Sequence, residues 1–321
     1  MDKEEIENQA KLIAENYDII FTNVGDFEKK HLIGDTEDKI CRFCGRKEPD
    51  VSFDTVAHAI PECLGNKKII CLDECDTCNQ DFSKNVEDHL DKITLPFRTI
   101  NMIKGKKKIP TYKSQNKNQK DRVEVKDHKK RLMEITVEYD SDFIQINSNQ
   151  KTIKMEYNLQ THIPAAAYKA LVKMALSVMP KNELQNYQHM LRWINEDDHT
   201  KAFMSPLIVF STFVPGINPF KHTTVFLFKR KNTNSKYPEC TFALAFGNIL
   251  YQIVIPSDEE IQQGVSTKTI LKLLTPFEID WELGKVGHSI LDWSETTVVK
   301  AKKQSFSFSY DEMKKQEINK E

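Results

Sequence analysis

Residues 41–90 read CRFCGRKEPDVSFDTVAHAIPECLGNKKIICLDECDTCNQDFSKNVEDHL, and they carry the most specific pattern in the chain. Two Cys-x-x-Cys pairs lie on either side of a single histidine, His58. The paired residues are Cys41, Cys44, Cys75 and Cys78. Because two intervening residues let both thiolates of a pair face one ion, two pairs predict a tetrahedral sulfur site for structural Zn²⁺. The alternative is a set of redox or buried thiols. Of the other cysteines, Cys63, Cys71 and Cys240 are expected to be small hydrophobes, with Cys71 close enough to be a spare ligand.

The residues that follow each pair resemble those of a known family. His58 begins the pattern His-x-Ile-Pro-Glu-x-Leu-Gly-Asn, and the second pair is followed directly by Asn79 and then by Phe-Ser-Lys-x-x-Glu. This order is similar to that of the HNH endonucleases, which belong to the ββα-metal, or His-Me finger, superfamily. The four cysteines place the resemblance in the subgroup whose finger is stapled by zinc. A weaker similarity extends over residues 96–110.

The resemblance implies roles for three residues. In the family, a histidine on a two-stranded ribbon deprotonates the water that attacks a phosphodiester. One divalent ion, held by the ribbon and the following helix, stabilises the leaving oxygen. By position, His58 matches the base and Asn79 the metal ligand on the helix; a neutral imidazole suits a base near pH 7, and an amide oxygen suits Mg²⁺ or Mn²⁺. Asn66 matches the central asparagine of the family name, which holds the loop after the base, although a simple Gly-Asn turn is the alternative.

One position departs from the family pattern. Many members carry a metal-binding Asp, Glu or His immediately before the base, whereas this chain has Ala57. Glu87 is the expected replacement, because residues 79, 83 and 87 recur every four positions and share one face of the predicted helix. The alternative is that Glu87 and its neighbours form a solvated helix face and that His58 is an ordinary packing or surface histidine.

The composition is that of a globular chain without a strong net charge. The 321 residues are 39% hydrophobic and carry a formal net charge of −1, so the charge of the whole molecule does not indicate a nucleic-acid partner. The first residues form no apolar signal region and no apolar run is long enough to cross a bilayer, so we expect no membrane association. An odd number of cysteines, seven in all with four in metal-type pairs, fits a reducing compartment, which predicts a cytoplasmic location.

Residues 104–131 have a different composition from the rest of the chain. They contain twelve Lys and Arg residues against three acidic ones, which predicts a basic linker or loop. Next to a nuclease-like finger, we expect the lysines at its start to contact the phosphate backbone of DNA, because each contact releases condensed counterions. These lysines are Lys104, Lys106, Lys107 and Lys108. The alternative is a solvated linker without a binding role.

The element pattern predicts an α+β fold, with a zinc-stapled ββα-metal finger near the N-terminus followed by a larger mixed α+β domain. The expected units are a helical and extended leader (1–40), the finger module (41–103), the basic linker or loop (104–131) and a C-terminal domain (132–321). In the last unit, periodicity predicts a hairpin over residues 132–146, helices over 163–179 and 183–194, and strong strands between 207 and 255.

Together these features predict a metal-dependent HNH-type endonuclease that hydrolyses DNA, with structural Zn²⁺ and catalytic Mg²⁺ or Mn²⁺. The alternative is a zinc finger that binds nucleic acid or a protein partner without cutting, and Ala57 favours it. The C-terminal domain could regulate the nuclease through a regulatory protein or a small-molecule activator, or it could form a homodimer. An effector role in anti-phage defence is expected by analogy alone.

Overall fold

The computed structural model describes residues 3–37, 39–114, 120–139, 141–201, 204–232, 237–264 and 286–314. The helices of this part are α1 (Lys3–Asn16), α2 (Asp76–Phe82), α3 (Asp88–Ile100), α4 (Pro164–Val178), α5 (Lys181–Leu184), α6 (Gln188–Ile194) and α7 (Asp258–Gln262). The strands are β1 (Tyr17–Thr22), β2 (His31–Ile33), β3 (Ala57–His58), β4 (Ile69–Cys71), β5 (Tyr112–Lys113), β6 (Arg122–Asp127), β7 (Leu132–Thr136), β8 (Ile144–Asn147), β9 (Thr152–Asn158), β10 (Ile208–Phe213), β11 (Phe220–Arg230), β12 (Cys240–Gly247), β13 (Ile249–Ile255), β14 (Gly287–Asp292) and β15 (Lys303–Ser309). This mixture confirms the predicted α+β class.

The largest sheet has its strands in the order β1-β11-β12-β13-β10-β14, and each neighbouring pair is antiparallel. The strands predicted between residues 207 and 255 are confirmed, and β12 turns into β13 at Gly247 and Asn248. Every residue of β12 is buried, as expected of a strand covered on both faces. β1 belongs to the N-terminal leader, so the leader is part of the sheet of the C-terminal domain.

The helix α4 lies at the centre of the molecule. It begins at Pro164, whose fixed φ suits a first helical turn, and it ends before Pro180, in agreement with the sequence prediction. All of its residues are buried. One hydrophobic core joins Phe82 and Leu90 of the finger with α4 and with β12 of the sheet. Within the described structure, the predicted boundaries at residues 103 and 131 therefore do not separate two hydrophobic cores.

The middle of the chain contains more strand than the sequence indicates. β5 and β6 lie within the predicted basic linker and form a sheet with β7, whereas residues 115–119 lie outside the described part. The predicted hairpin over residues 132–146 is wrong, because β7 pairs with β6 and β8 pairs with β9. The turn after β6 explains this pairing, since the carboxylate of Asp127 accepts hydrogen bonds from the backbone N–H groups of Lys129 and Lys130.

The predicted helix over residues 183–194 is two short helices, α5 and α6. Tyr187 leaves the helical conformation between them, with a ψ of 35°. Asp258, at the start of α7, accepts hydrogen bonds from the backbone N–H groups of Gln188 and His189 and so caps α6. A cap that comes from a distant part of the chain leaves no trace in local periodicity.

The finger is attached to the C-terminal end of α4 by a buried arginine. Arg42 lies inside the first cysteine pair, and its guanidinium forms two hydrogen bonds with the Asp73 carboxylate, of 2.6 and 3.1 Å. Its third nitrogen donates to the backbone carbonyls of Leu176, Ser177 and Met179, at 3.0, 2.7 and 3.2 Å. The carbonyl of Leu176 also accepts from the N–H of Met179 at 3.4 Å. The last carbonyls of a helix lack N–H donors from a following turn, and the negative end of the helix dipole favours a cation there.

The finger also contacts the N-terminal end of α4. The backbone N–H of Ile163, which precedes the helix, donates to Nδ1 of His89 at 3.0 Å. Burial, together with the nearby Lys92, lowers the pKa of His89 to about 4, so the ring is neutral and can accept this hydrogen bond at neutral pH. The finger therefore holds both ends of the central helix.

Replacing Arg42 tests this attachment. We expect Arg42→Ala to lower the free energy of unfolding by about 3 kcal/mol, because it leaves the buried Asp73 carboxylate and the last carbonyls of α4 without a cationic partner. Lys47→Ala is the matched control, since Lys47 is a cation of the same segment but is exposed. Denaturant unfolding followed by circular dichroism measures both variants. Equal stability of the two would contradict the attachment.

Candidate functional site

The four paired cysteines form one cluster. Their sulfur atoms all lie within 4.8 Å of one another. A tetrahedral zinc site with Zn–S bonds of 2.3 Å requires sulfur atoms about 3.8 Å apart, and Sγ of Cys44 is 3.8 Å from Sγ of Cys75. The first pair is shaped by a tight turn, in which Gly45 has a positive φ of 71° and its N–H donates to the carbonyl of Cys41. The second pair lies at the start of α2.

Zinc binds thiolates, and without an ion the surroundings of the cluster favour the thiolate at Cys41 only. Burial raises the pKa of Cys75 to about 11, and the hydrogen bond with Cys41 raises the pKa of Cys78. The thiol of Cys78 donates to Cys41, which lowers the pKa of Cys41 to about 4. The backbone N–H of Cys75 donates to the sulfur of Cys41, and Nε of Arg46 donates to that of Cys44, both at 3.4 Å. The cluster therefore fits a metal ion such as zinc. Cys71 lies outside it and donates to the carboxylate of Asp73.

Two cysteine variants test which cysteines bind the metal. We expect Cys75→Ser to lose the bound metal and to unfold the finger, because the binding free energy of a structural metal is part of the folding free energy. Cys71→Ser is the control and should keep its metal, since Cys71 is not in the cluster. Metal content is measured by mass spectrometry of the purified, dialysed proteins. One equivalent of zinc in Cys75→Ser, or none in Cys71→Ser, would contradict the assignment.

His58 lies on the ribbon of a ββα unit. β3 pairs with β4 in antiparallel register, which places His58 opposite Ile70, and α2 follows β4. The ribbon is extended by β2, which pairs with β4 in parallel. This arrangement is the predicted ββα finger, with the cysteine cluster at its base and α2 continuing through a π-helical turn over residues 83–87 into α3.

Asn66 holds together the loop that joins the two ribbon strands. Its side chain is buried, and Nδ2 donates to the carbonyls of Ile60 at 2.6 Å and of Ile69 at 3.2 Å. Its Oδ1 accepts hydrogen bonds from the backbone N–H groups of Lys68 and Ile69. The positive φ of this turn belongs to Gly65, at 93°, and not to Asn66. The side-chain amide, rather than a left-handed backbone, is therefore what Asn66 contributes to the loop.

The loop before His58 is tied to the helix that carries Asn79. The carboxylate of Asp76 accepts hydrogen bonds from the hydroxyl of Ser52 and from the backbone N–H groups of Asp54 and Thr55. Burial raises the pKa of Asp76, but these hydrogen bonds together outweigh burial and hold the pKa well below its usual range. Nδ2 of Asn79 lies 3.4 Å from the hydroxyl of Thr55, three residues before His58. Thr55 and Asp76 thus connect the segment before the ribbon to α2, which carries Asn79. The sequence analysis did not identify either residue.

The imidazole of His58 is partly buried and surrounded by charges of both signs. Burial lowers its pKa below the usual value of 6.5. The carboxylates of Glu62 and Glu87 oppose this shift, whereas the ammonium groups of Lys173 and Lys106 add to it. The ring is therefore neutral at pH 7 and can accept a proton, which is the property that a general base requires.

Lys173 is a functional candidate that the sequence did not reveal. It projects from α4 and its side chain is only 1% exposed. Its Nζ lies 3.1 Å from a carboxylate oxygen of Glu74 and 3.0 Å from one of Glu87, and it donates to the backbone carbonyl of His58 at 3.4 Å. Burial raises the pKa of Glu74 to about 7, although Lys173 opposes that shift. Lys173 therefore connects α4 to the ribbon at the backbone of His58.

Few protein side chains near His58 could act as ligands for a second, divalent metal ion. Ala57 is buried and has no donor atom, and the carboxylate of Glu87 is paired with Lys173. Among the described residues, the four cysteines form the one cluster of three or more His, Cys, Asp or Glu side chains with metal-ligand geometry. The Oδ1 of Asn79 is the remaining predicted donor. Mg²⁺ commonly takes only one or two protein ligands and keeps water or substrate phosphate as the others, so Asn79 fits such an ion only with substrate present.

The lysines at the start of the basic segment lie beside the finger. The backbone N–H of Gly105 donates to the carbonyl of Lys108, which closes a short turn. A Cβ atom on Gly105 would lie 3.4 Å from Cα of Cys63, so this turn packs directly against the residues that follow His58. The side chains of Lys104, Lys106, Lys107 and Lys108 are exposed. They therefore lie on the surface, next to the segment that follows His58.

Comparison with known families agrees with this geometry. Residues 41–95 match the family model described as HNH endonuclease. The finger segment is therefore similar to the HNH endonucleases. No curated protein and no solved structure matches the chain. An HNH domain indicates nuclease activity in general terms. None of the helices in the described part of the chain has the length and apolar character needed to cross a membrane.

Proposed function

We propose that this protein is an HNH endonuclease that hydrolyses phosphodiester bonds in DNA with His58 as general base. The observation that carries the proposal is the position of a neutral imidazole on the ribbon of a ββα unit. Asn66 forms hydrogen bonds within the loop that joins the two ribbon strands, and Lys173 donates a hydrogen bond to the backbone carbonyl of His58.

In the proposed reaction, His58 takes a proton from a water molecule as that water attacks the scissile phosphorus. The developing imidazolium is stabilised by the nearby carboxylates of Glu62 and Glu87. The proposed cofactor is Mg²⁺ or Mn²⁺ held by Asn79, and the chemistry it would supply is stabilisation of the departing 3′-oxygen. Cys41, Cys44, Cys75 and Cys78 would hold a structural zinc with four sulfur ligands, and an ion held in this way would contribute to folding and not to the reaction.

The proposed substrate contact is the turn that contains Lys104 and Lys106–Lys108. These ammonium groups are exposed and lie beside the finger, where they would neutralise backbone phosphates without reading sequence. Regulation by a protein or small molecule, homodimerisation and an anti-phage role stay predictions from the sequence.

A zinc finger that binds without cutting is the second candidate. The observation that favours it is Ala57, together with the pairing of Glu87 by Lys173, because both reduce the set of protein donors for a catalytic ion. Supercoiled plasmid incubated with Mg²⁺ or Mn²⁺ distinguishes the candidates, since nicked or linear product requires an enzyme.

Replacing His58 tests the general base. We expect His58→Ala to abolish metal-dependent nicking of plasmid while leaving the bound zinc unchanged. His31→Ala, which changes another histidine of the finger sheet, should keep wild-type activity. In the wild-type protein, the rate should be flat around pH 7 and should fall only below pH 6.5, because burial lowers the pKa of His58 and the protonated ring cannot act as a base. Undiminished cutting by His58→Ala would refute the assigned base.

The DNA contact is tested by salt dependence. We expect the double variant Lys107→Gln with Lys108→Gln to weaken duplex binding and to lower the slope of log Kd against log salt by about 1.8, or about 0.9 for each lost phosphate contact. The control pair is Lys300→Gln with Lys303→Gln, which removes two exposed lysines far along the chain. Fluorescence anisotropy at several salt concentrations gives the slopes. Identical slopes for both pairs would exclude this turn as the contact.

A further inference from the structure

A cavity of about 300 Å³ lies where the finger meets the sheet of the C-terminal domain. Three segments line it: the loop over residues 64–68 between β3 and β4, residues 102–104 after α3, and residues 218–223 around the start of β11. His58 is not part of its lining. The cavity is therefore separate from the proposed catalytic site, although both share the loop held by Asn66.

Among the described residues that line the cavity, the titratable ones are all Lys or His. They are Lys67, Lys68, Lys104, His128, Lys221 and His222. No Asp or Glu is found among the described residues that line it. Nζ of Lys68 donates to the backbone carbonyl of Glu28 at 3.0 Å and lies 3.8 Å from its carboxylate. In the described structure, the ammonium groups of Lys67, Lys104 and Lys221 have no ion-pair partner, so the cavity carries uncompensated positive charge.

An irregular strand shapes the cavity wall. Phe220 pairs with Gly247 and Thr224 pairs with Ala245, so the three residues between them on β11 oppose one residue of β12. The side chain of Asn23 stabilises this irregularity, because its Nδ2 donates to the carbonyl of Thr223 at 2.8 Å and its Oδ1 accepts from the N–H of Val225 at 2.9 Å. Bulges of this kind redirect side chains and are frequent next to functional sites. Here the displaced residues include Lys221 and His222.

Three further contacts fix the shape of the cavity wall. The ring of His222 stacks on that of Phe27, with centroids 4.7 Å apart and an interplanar angle of 15°. On the finger side, a Cβ atom on Gly65 would lie 3.0 Å from Ile103 and 3.3 Å from Thr223, so the loop closely approaches β11. The hydroxyl of Thr223 donates to the carbonyl of Leu64. The lysine side chains of the cavity therefore project from a wall whose shape is already set by these contacts.

We propose that this cavity binds a phosphate group. A preformed wall with several unpaired ammonium groups and no carboxylate is the environment that phosphate anions prefer, and the cavity is large enough for a phosphate with part of its substituent. The phosphate belongs either to a nucleic-acid backbone that extends from the His58 site or to a free nucleotide. Because Gly65 and Asn66 lie in its wall, an occupied cavity would also restrain the loop next to His58.

The test measures binding by the full-length protein without added divalent metal, so that a duplex stays intact. The probes are inorganic pyrophosphate, ATP and a 20-bp DNA duplex, used in separate titrations. Lys221→Gln is the variant, and Lys300→Gln is the control, since both residues are exposed and only Lys221 lines the cavity. We expect Lys221→Gln to weaken at least one probe about three- to fivefold and Lys300→Gln to leave it unchanged.

The probes distinguish the sources of the phosphate. Weaker duplex binding with a salt slope lowered by about 0.9 assigns the cavity to the nucleic-acid backbone, whereas an effect on ATP or pyrophosphate alone assigns it to a free ligand. The proposal is overturned if the wild-type protein binds none of the three probes, or if Lys221→Gln and Lys300→Gln behave alike. None of these readouts requires cleavage, so the result stands apart from the plasmid assay of the proposed nuclease.

Discussion

The buried guanidinium of Arg42 connects the two parts of this structure. Arg42 belongs to the first Cys-x-x-Cys turn, and it binds both Asp73 and the last carbonyls of α4. Burying a cation costs free energy unless its hydrogen-bond partners are held in place. Here the partners are a carboxylate of the cysteine-bearing finger and the carbonyls at a helix terminus. His89 accepts the hydrogen bond at the opposite end of the same helix. The cysteine cluster and α4 therefore depend on each other, although 85 residues lie between Cys78 and Pro164 in the chain.

This attachment has a consequence for the proposed catalytic site. Because both ends of α4 are attached to the finger, Lys173 within this helix lies close enough to the ribbon to donate a hydrogen bond to the backbone of His58. Lys173 balances the buried Glu74 and pairs with Glu87, the residue expected to replace the missing ligand at Ala57. A carboxylate that neutralises a buried lysine is less able to bind a divalent ion. The C-terminal domain thus contributes to the charge of the site as well as to its support.

Local patterns in the sequence were sufficient for the finger and for the strongest elements of the C-terminal domain. The cysteine spacing predicted the metal cluster, and apolar periodicity with flanking prolines predicted α4. Contacts between distant segments were not predictable, because Arg42 reads as an ordinary residue within a cysteine pair and Lys173 as one polar position in an apolar helix. The strands β5 and β6 were missed because a high density of lysine conceals the alternation around Val123 and Val125. The candidate site residues on the finger could be proposed from cysteine spacing and family resemblance, whereas the candidates on α4 and β11 required the fold.

Hydrogen exchange of the α4 backbone before and after removal of zinc tests the central claim most directly. The amides of α4 are buried, and their protection reports the free energy of opening that helix. If the cysteine cluster and α4 form one cooperative unit, the amides of α4 should lose protection together with those of α2 and α3 when a chelator removes the metal. Full protection of α4 in the zinc-free protein, with exchange confined to the finger, would contradict the account.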